Sequence, residues 1–352
     1  MLTALRLHHF RCYDTLRWEI PAEGALLLGD NAQGKTSLLE ALCLALSLHS
    51  PRASRLERLA QHGSPHFGLA LDSDEGNRRL LWQKGQKISM QVDGAERRDY
   101  ADFLRDAHPV TWLGNGDMAL VSGSAEQRRA FLNFLGAQWH PHYRQALQAY
   151  RRALRARNAL LRHPRRDRAA LDSYARILGQ HGSVLVALRR QLLELLLPHV
   201  RRRHHLISGQ VEEVGLRYAP AVEHELTEAI CAATADDERQ GFTGPGPHRD
   251  DFLLSINGTA AADYASEGQQ RTLAISLLLA QNTLLHDEVG RSPLLLIDDI
   301  FGELDPPRRR ALLRELPADS QVFITTTHLG WLGDSPCPLP LFEVSKGGVH
   351  PR

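Results

Sequence analysis

The stretch LLLGDNAQGKTSLLEALCLAL, residues 26–46, decides the fold class of this chain. It holds the complete pattern G-x-x-x-x-G-K-[ST] between an apolar strand and an amphipathic helix, which is the context that a phosphate-binding loop requires. The glycines let backbone N–H groups curl around phosphate oxygens, and the start of the helix adds partial positive charge. A chance glycine turn before a helix is the weaker alternative. The pattern alone does not choose among kinases, GTPases and ABC-type ATPases.

The phosphate loop predicts ATP and Mg²⁺ as cofactors. Lys35 is expected to reach the β- and γ-phosphates as a point charge, and the Thr36 hydroxyl is expected to bind Mg²⁺. The predicted nucleotide contacts in this loop are Gly29, Asp30, Asn31, Ala32, Gln33, Gly34, Lys35, Thr36 and Ser37.

A second apolar run, LLLIDD at residues 294–299, ends in two acids. In a P-loop protein such a strand lies near the phosphate loop and its terminal carboxylate orients Mg²⁺, so Asp298 is the predicted metal ligand together with Thr36. Asp299 is then predicted to polarise the attacking water, as a general base or an orienting acceptor. The alternative is an acid-rich surface turn.

The residues that follow the paired acids favour the catalytic interpretation. The segment GELD at residues 302–305 resembles the D-loop of ABC ATPases. His328 follows the strand-like run QVFITT, where that class carries its switch histidine. Taken alone, His328 is more typical of a surface histidine. The predicted catalytic residues are therefore Asp299, Lys35 and His328.

The segment SEGQQR at residues 266–271 opens an apolar helix and resembles the S-x-G-Q/E signature of ABC ATPases. A small hydroxyl and a glycine at a helix N-terminus let a γ-phosphate lie against backbone donors. Ser266, Gly268 and Gln269 are the predicted nucleotide contacts, made to ATP on a second subunit, so ATP is expected to join a head-to-tail homodimer. An ordinary N-cap serine before a core helix is the alternative, and the order of all the motifs favours the ABC interpretation.

Arginines are concentrated between Arg144 and Arg203, where the sequence has 15 arginines, no lysine and three acids. Because the chain as a whole has a formal net charge of +1, the remainder is net acidic. This favours a face that neutralises DNA phosphates without reading sequence. The alternative is a general preference for arginine, since the chain has 38 arginines and four lysines. The predicted DNA-binding residues are Arg151, Arg152, Arg155, Arg157, Arg165 and Arg166.

Several segments together resemble the RecF family across essentially the whole chain. They are LRLHHFRCYDTL at residues 5–16, the phosphate loop, GSAEQRRAFLNFL at 123–135, GPHRDDF at 246–252, SEGQQRTLA at 266–274 and LLLIDDIFGELD at 294–305. The resemblance implies an α/β fold, with an ABC-type P-loop ATPase head like lobe I of Rad50 and SMC proteins and an inserted, mainly helical lobe II. We place lobe I at residues 1–112 and 290–352, and lobe II at 113–289.

The resemblance also implies a function. It predicts a recombination mediator with weak ATP hydrolysis, an ATP-dependent dimer, and binding to DNA at gaps or single/double-strand junctions. The implied partner is RecR, which acts with RecO to help load RecA onto SSB-coated single-stranded DNA in recombinational repair and replication restart. Two other functions compete: phosphoryl transfer to a small molecule, which leaves residues 266–271 unexplained, and an SMC-like clamp, for which the long coiled coil is missing.

Two features of the sequence leave roles open. The family usually has an apolar-x-Pro-acid segment after its first lobe, whereas this chain reads VTWLGNGD at residues 110–117, without the proline. Asp117 is the candidate for coupling the γ-phosphate to lobe movement. His248 and Arg249 either form buried hydrogen bonds or sense nucleotide.

Hydrophobic patterning predicts strands at residues 2–8, 25–28, 66–72, 78–83 and 88–92, and again near residues 211–218, 251–256, 293–297, 321–326 and 339–344. It also predicts helices from about residue 35 to 48, from about 269 to 286, and over 307–316. Helical periodicity covers residues 125–205, with breaks near His163-Pro164 and at Pro198. No stretch approaches the roughly 20 apolar residues of a membrane span. The start of the chain lacks a signal-peptide pattern, and the four cysteines are widely spaced, so we expect a cytoplasmic protein.

Overall fold

The chain divides into two compact units, one of residues 1–117 and 285–352 and the other of residues 118–284. The sequence placed these boundaries near residues 112 and 289. The computed structural model describes residues 1–114, 116, 119–164, 167–209, 211–333, 336–337 and 339–352. Asp117, Arg165 and Arg166 lie outside the described residues, so their predicted roles stay predictions.

The first unit combines two sheets with a few helices, and helices predominate in the second. The strands are β1 (Leu2–Phe10), β2 (Tyr13–Glu19), β3 (Gly24–Leu28), β4 (His66–Ser73), β5 (Gly76–Gln83), β6 (Ser89–Val92), β7 (Ala95–Glu96), β8 (Val110–Gly114), β9 (Val214–Ala219), β10 (Asp251–Ile256), β11 (Thr259–Ala260), β12 (Leu294–Asp298), β13 (Val322–Thr326), β14 (Leu341–Ser345) and β15 (Gly348–Pro351). The α-helices are α1 (Lys35–Ser47), α2 (Tyr100–Phe103), α3 (Ala119–Ser122), α4 (Ala125–Trp139), α5 (Pro141–Arg162), α6 (Arg168–Ser208), α7 (Leu226–Ala232), α8 (Thr234–Gln240), α9 (Ala261–Tyr264), α10 (Glu267–Val289) and α11 (Pro306–Arg314).

A mainly parallel sheet in the first unit positions the phosphate loop. Its strand order is β15-β14-β3-β13-β12-β8, and only β15 runs antiparallel to its neighbour. Strands β3, β8 and β13 are buried along their whole length, as expected for a parallel sheet covered on both faces. The carboxyl ends of β3 and β12 lie at the same edge, which brings the residues after each strand to one crevice.

The other sheet of this unit is an antiparallel meander with the order β2-β1-β4-β5-β6-β7. Helix α1 contacts strands of both sheets, and nearly all its residues are buried. The helix is therefore buried on nearly all sides rather than on one face, and its buried Glu40 carboxylate is paired with Arg11 at 2.7 Å. The antiparallel strands β4, β5 and β6 form over the segments that the sequence predicts, whereas β2 is not predicted.

The second unit is built around the antiparallel packing of α5 and α6, with α7 against them and the small sheet β11-β10-β9 alongside. Its core contains Tyr143, Tyr150, Leu178, Leu185 and Ile230. The chain is broken between α5 and α6 as predicted, and the Asp167 carboxylate caps α6 by accepting a hydrogen bond from the Ala170 amide at 3.1 Å.

The predicted break at Pro198 is wrong. Helix α6 runs for 41 residues through this proline. Proline removes one backbone hydrogen bond and crowds the preceding turn, which usually ends a helix. Here the neighbouring turns place Leu196 and Val200 in the buried core, and this packing outweighs the local preference. Within the described residues no helix is both long and apolar enough to cross a membrane.

Candidate nucleotide site and arginine-rich arm

The loop between β3 and α1 has the backbone conformation of a phosphate cradle. Gly34 has a φ of +107°, and a Cβ atom there would lie 2.6 Å from the Tyr13 hydroxyl and 2.7 Å from the Cys12 sulfur. Both the backbone angle and the lack of space therefore require glycine at this position. Ala32 also has a positive φ, of 66°. Such left-handed residues turn successive amide groups toward one concave anion site.

Lys35 begins α1 and lies across its own loop. Its Nζ donates hydrogen bonds to the carbonyl oxygens of Gly29 at 2.7 Å and Asp30 at 2.9 Å. Burial lowers the pKa of this ammonium group, while the carboxylates of Asp299, Asp298 and Asp30 oppose that shift. The ammonium group is thus held where an entering phosphate can replace the two carbonyl oxygens.

Asp298 stands at the end of β12 and is held by two threonines. The Thr36 hydroxyl donates to Asp298 Oδ1 at 2.7 Å, and the Thr325 hydroxyl donates to the same oxygen at 2.8 Å. Adjacent oxygen ligands of an octahedral Mg²⁺ lie about 2.9 Å apart, given Mg–O distances of about 2.0–2.1 Å. The hydroxyl of Thr36 and the carboxylate of Asp298 therefore fit the donor type and the spacing that Mg²⁺ requires.

Asp299 lines the cavity that also contains Asn31, Lys35 and Thr36, with a volume of about 460 Å³. Its φ is +52°, and its amide donates to the Thr325 hydroxyl at 3.0 Å. Burial raises the pKa of the Asp299 carboxyl, the nearby Asp298 raises it further, and Lys35 opposes the shift. A carboxyl group with a raised pKa, facing a phosphate cradle, has the chemistry of a proton acceptor.

Other residues of this cavity were missed by the sequence analysis. Arg11, Cys12, Arg52, Arg58 and Ala60 line it beside the loop. They come from the β1–β2 turn and from the segment before β4. The only sequence signal was the FRCYD stretch at residues 10–14, which supplies Arg11 and Cys12. Arg52 and Arg58 add positive charge to the cavity, as a polyphosphate site requires, whereas Arg11 is paired with a buried glutamate.

His328 faces a neighbouring cavity of about 530 Å³, which Gly29, Asp30 and Gln33 also line. A Cβ atom built on Gly302, in the segment after the paired acids, would lie 3.8 Å from its Nε2. An electrostatic interaction with His328 lowers the pKa of the Asp299 carboxyl, against the effect of burial, so the two side chains lie close enough to interact. The structure therefore places His328 in a cavity next to the one that Asp299 lines, and the phosphate loop contributes residues to both.

The signature serine begins α10 in the second unit. The Ser266 amide donates to Gln269 Oε1 at 2.8 Å, and the Ser266 hydroxyl accepts from the Gln269 amide at 3.3 Å, which is a reciprocal capping box. Gln269 also donates to Glu212 at 2.8 Å. Ser266 therefore caps its own helix, as the alternative interpretation expects. Ser266 is nevertheless exposed to solvent, so the capping hydrogen bonds do not bury its side chain.

The predicted DNA-binding arginines divide by helix face. Arg151, Arg152 and Arg155 are exposed on α5. The prediction for Arg157 is wrong, because its side chain is fully buried and its guanidinium donates to the Asp237 carboxylate at 2.6 Å. It also donates to the Thr243 hydroxyl at 2.8 Å. A side chain that lies inside the core and is paired there cannot neutralise a DNA phosphate.

Arg189 of α6 is a second buried arginine in the same segment. It pairs with Asp250 at 3.1 Å and donates to the Pro247 carbonyl oxygen at 2.7 Å and the Tyr143 hydroxyl at 3.1 Å. Asp250 also accepts from the Ala221 amide at 2.7 Å. Asp250 lies in the loop before β10, so its ion pair with Arg189 connects this loop to α6.

The same GPHRDDF segment answers the question left open for His248. Its Nε2 donates to the Thr243 carbonyl oxygen at 3.0 Å, and its Nδ1 accepts from the Tyr150 hydroxyl at 2.7 Å. Burial lowers the pKa of this imidazole, which keeps it neutral and suits that pattern. His248 therefore has the buried hydrogen-bonding role, whereas Arg249 is exposed and stacks over the Phe242 ring at 5.2 Å.

Comparisons with known proteins match this chain to one family over nearly its whole length. A family model described as an AAA domain matches residues 4–104. The DNA replication and repair protein RecF of Synechococcus sp. (strain JA-3-3Ab) is 35% identical, with 99% of this chain and 97% of that protein covered. RecF of Cyanothece sp. (strain PCC 7425 / ATCC 29141) is 36% identical with the same coverage.

Solved structures give the same fold. The structure of the recombination mediator protein RecF with ATP, in the RecFOR pathway, has a TM-score of 0.88 and 26% identity, covering 100% of this chain and 97% of that chain. An Smc head bound to the C-winged helix domain of ScpA has a TM-score of 0.57 at 14% identity, covering 99% of this chain and 96% of that chain. The second likeness concerns the fold alone, and together they confirm the expected ABC-type ATPase class.

Proposed function

The chain belongs to the RecF family, and from that premise we propose that Mg²⁺ and ATP in the phosphate-loop cavity join two copies into a dimer that binds gapped or junction DNA. Family membership gives a role in DNA repair and recombination, ATP binding and ATPase activity. The dimer, the DNA structure that it prefers and its weak, DNA-dependent hydrolysis are the proposal. The observation that carries it is the single cavity lined by Lys35, Thr36 and Asp299, with Asp298 bonded to Thr36.

Each residue of this cavity has a distinct task in the proposal. Backbone amides of residues 29–34 and the ammonium group of Lys35 hold the β- and γ-phosphates. Mg²⁺, when bound by Thr36 and Asp298, supplies charge neutralisation at the phosphates. Asp299 orients the attacking water and accepts its proton, a step that suits its raised pKa. Hydrolysis then releases the dimer from DNA.

In the proposed dimer, the second subunit contacts ATP through its exposed signature segment, residues 266–271. Ser266 and Gly268 of one copy contact the γ-phosphate held by the P-loop of the other. Because Ser266 stands at the start of a helix, the γ-phosphate meets both a hydroxyl and the positive end of the helix dipole. His328, at the neighbouring cavity, serves as the switch that responds to the γ-phosphate.

The dimer is tested by measuring solution mass with and without Mg·ATP. Wild type is expected to double its mass with ATP, whereas Ser266→Arg stays monomeric because the bulky cation occupies the γ-phosphate position. Ser173→Arg, at an exposed serine of α6, is the matched control and should dimerise like wild type. A wild type that stays monomeric with ATP and gapped DNA both bound would contradict the proposal.

The DNA contact is tested at the exposed face of α5. Arg152→Ala is expected to weaken binding to gapped DNA of any sequence and to reduce the slope of log affinity against log salt by about 1, since one phosphate contact is lost. Arg239→Ala, at an exposed arginine of α8, is the control. An unchanged slope in the Arg152 variant would remove α5 from the interface.

The pathway role is part of the same proposal. The structural relative belongs to the RecFOR pathway, which supports RecR and RecO as partners of this chain. We expect RecR to bind the ATP-dimerised form and the assembly, with RecO, to promote RecA loading onto SSB-coated single-stranded DNA. A loading assay with and without RecR, with Ser266→Arg as the inactive dimerisation variant, measures this role.

A further inference from the structure

We propose that His8, His9 and His66 form a binding site for a Zn²⁺-class divalent cation on the antiparallel sheet of the first unit. One ring nitrogen from each histidine lies within 4.8 Å of the others. Imidazole is the nitrogen ligand that Zn²⁺ and its neighbouring transition metals bind in proteins. Three histidines with an open fourth position are a known arrangement for zinc.

The backbone at His9 explains how adjacent residues share one face. Successive side chains of a regular strand point to opposite faces, yet the rings of His8 and His9 have centroids 4.0 Å apart. His9 has a φ of +48°, an uncommon angle for a residue with a side chain. This local irregularity at the end of β1 turns the second imidazole toward the first.

The pairing of β1 with β4 brings in the third histidine. His8 lies directly opposite Gly68, which carries no side chain, and His66 follows two positions away on the same face of β4. The rings of His8 and His66 are stacked with centroids 5.5 Å apart. The His9 and His66 rings meet edge to face at 5.1 Å.

A supporting carboxylate and amide already orient His9. Its Nδ1 lies 2.8 Å from Gln61 Oε1 and 3.1 Å from Asp14 Oδ1. Both partners are acceptors, so Nδ1 carries the proton and Nε2 keeps the lone pair that a metal needs. A carboxylate or amide oxygen behind a ligating imidazole is the usual outer shell of a zinc site.

The three nitrogens can close on an ion with small movements. Zn–N distances of about 2.0–2.1 Å in a tetrahedral site place ligand nitrogens about 3.3 Å apart. His8 is exposed, and in the described part of the chain no hydrogen bond holds its ring, so it can rotate inward. A water molecule would complete the coordination.

Zinc titration of the full chain tests the site. Wild type, in millimolar Mg²⁺ to occupy the oxygen donors of Thr36 and Asp298, is expected to bind one Zn²⁺ in competition with a chromophoric chelator. His66→Gln should weaken that binding at least tenfold. Asp14→Asn should weaken it by about 10–100-fold through loss of the outer-shell carboxylate. His62→Gln, at an exposed histidine of the same segment, is the matched control.

Zinc K-edge absorption identifies the ligands independently of affinity. The proposal expects about three imidazole nitrogens at about 2.0–2.1 Å in wild type and fewer in His66→Gln. All three variants replace exposed or half-buried side chains, and matching melting temperatures would show that they fold. Oxygen-only coordination, the absence of a one-to-one site, or an equal loss of affinity in His62→Gln would overturn the proposal.

Discussion

The phosphate loop and the arginine-rich helix α5 carry equally conspicuous sequence patterns. Only in the phosphate loop does the pattern itself assign a role to each residue. In the loop, Gly34 has the left-handed backbone angle of the cradle, and Lys35 donates to carbonyl oxygens of its own loop. On α5, Arg152 and Arg157 are the same residue type five positions apart, yet one is exposed and the other is buried against Asp237. A motif encodes a site when the site is local; a count of charges does not show which face of a helix each charge occupies.

The largest expected effect comes from a substitution in the nucleotide site. Asp299→Asn should reduce ATP hydrolysis by about 10²–10⁴-fold, because the proton acceptor is lost while the phosphate cradle stays intact. Nucleotide binding should change little. Single-turnover hydrolysis and fluorescent-ATP titration measure the two effects. Asp319→Asn, at an exposed turn, is the control, and hydrolysis at the wild-type rate in Asp299→Asn would remove Asp299 from catalysis.

Arg157→Ala tests whether the buried arginine of α5 has a structural role that the exposed arginines of the same helix lack. It should lower the free energy of unfolding by about 3–5 kcal/mol, because the buried Asp237 carboxylate loses its partner. Arg152→Ala is the matched control, with an expected change within about 0.5 kcal/mol. Denaturant unfolding measures both variants. Adding Asp237→Asn to Arg157→Ala should recover part of the loss, and equal stabilities of the two single variants would contradict the assignment.

The periodicity of α5 contains the signal that a count of arginines overlooks. Its buried positions are Tyr143, Ala146, Leu147, Tyr150, Ala153, Arg157 and Leu161, which follow the three- and four-residue spacing of one helix face. Arg157 stands on this stripe, and Arg151, Arg152 and Arg155 stand off it. Placing each arginine on the helix before assigning it to DNA would have identified the buried one.

Other features could not be predicted because they depend on contacts between distant segments. Arg52 and Arg58 reach the nucleotide cavity from a segment with no motif of its own. Helix α6 passes through Pro198 because the turns on either side are packed into the core. By contrast, α1, β12 and α10 follow from local patterns, and their predicted bounds lie within a few residues of the structure.

The pH dependence of hydrolysis sharpens the assignment of Asp299. Burial raises the pKa of its carboxyl group, so the group gains a proton at a higher pH than an ordinary aspartate. A protonated carboxyl cannot accept a proton from water. The hydrolysis rate should therefore fall about tenfold per pH unit once the pH drops below this raised pKa. A single-turnover pH–rate profile measures it, and the same acidic limb in Asp299→Asn would assign the titration to another group.

The smallest expected effect concerns the hydrogen bonds that connect α5 to the GPHRDDF segment. Tyr150→Phe removes the hydroxyl that donates to His248 at 2.7 Å and leaves that buried nitrogen without a donor. The expected cost is about 1 kcal/mol of unfolding free energy, since the lost bond is neutral and the ring still packs. Tyr100→Phe, at an exposed tyrosine, is the control. Unchanged ATP affinity in Tyr150→Phe would agree with the structural role of His248, whereas a loss of nucleotide binding without a loss of stability would favour the sensing role.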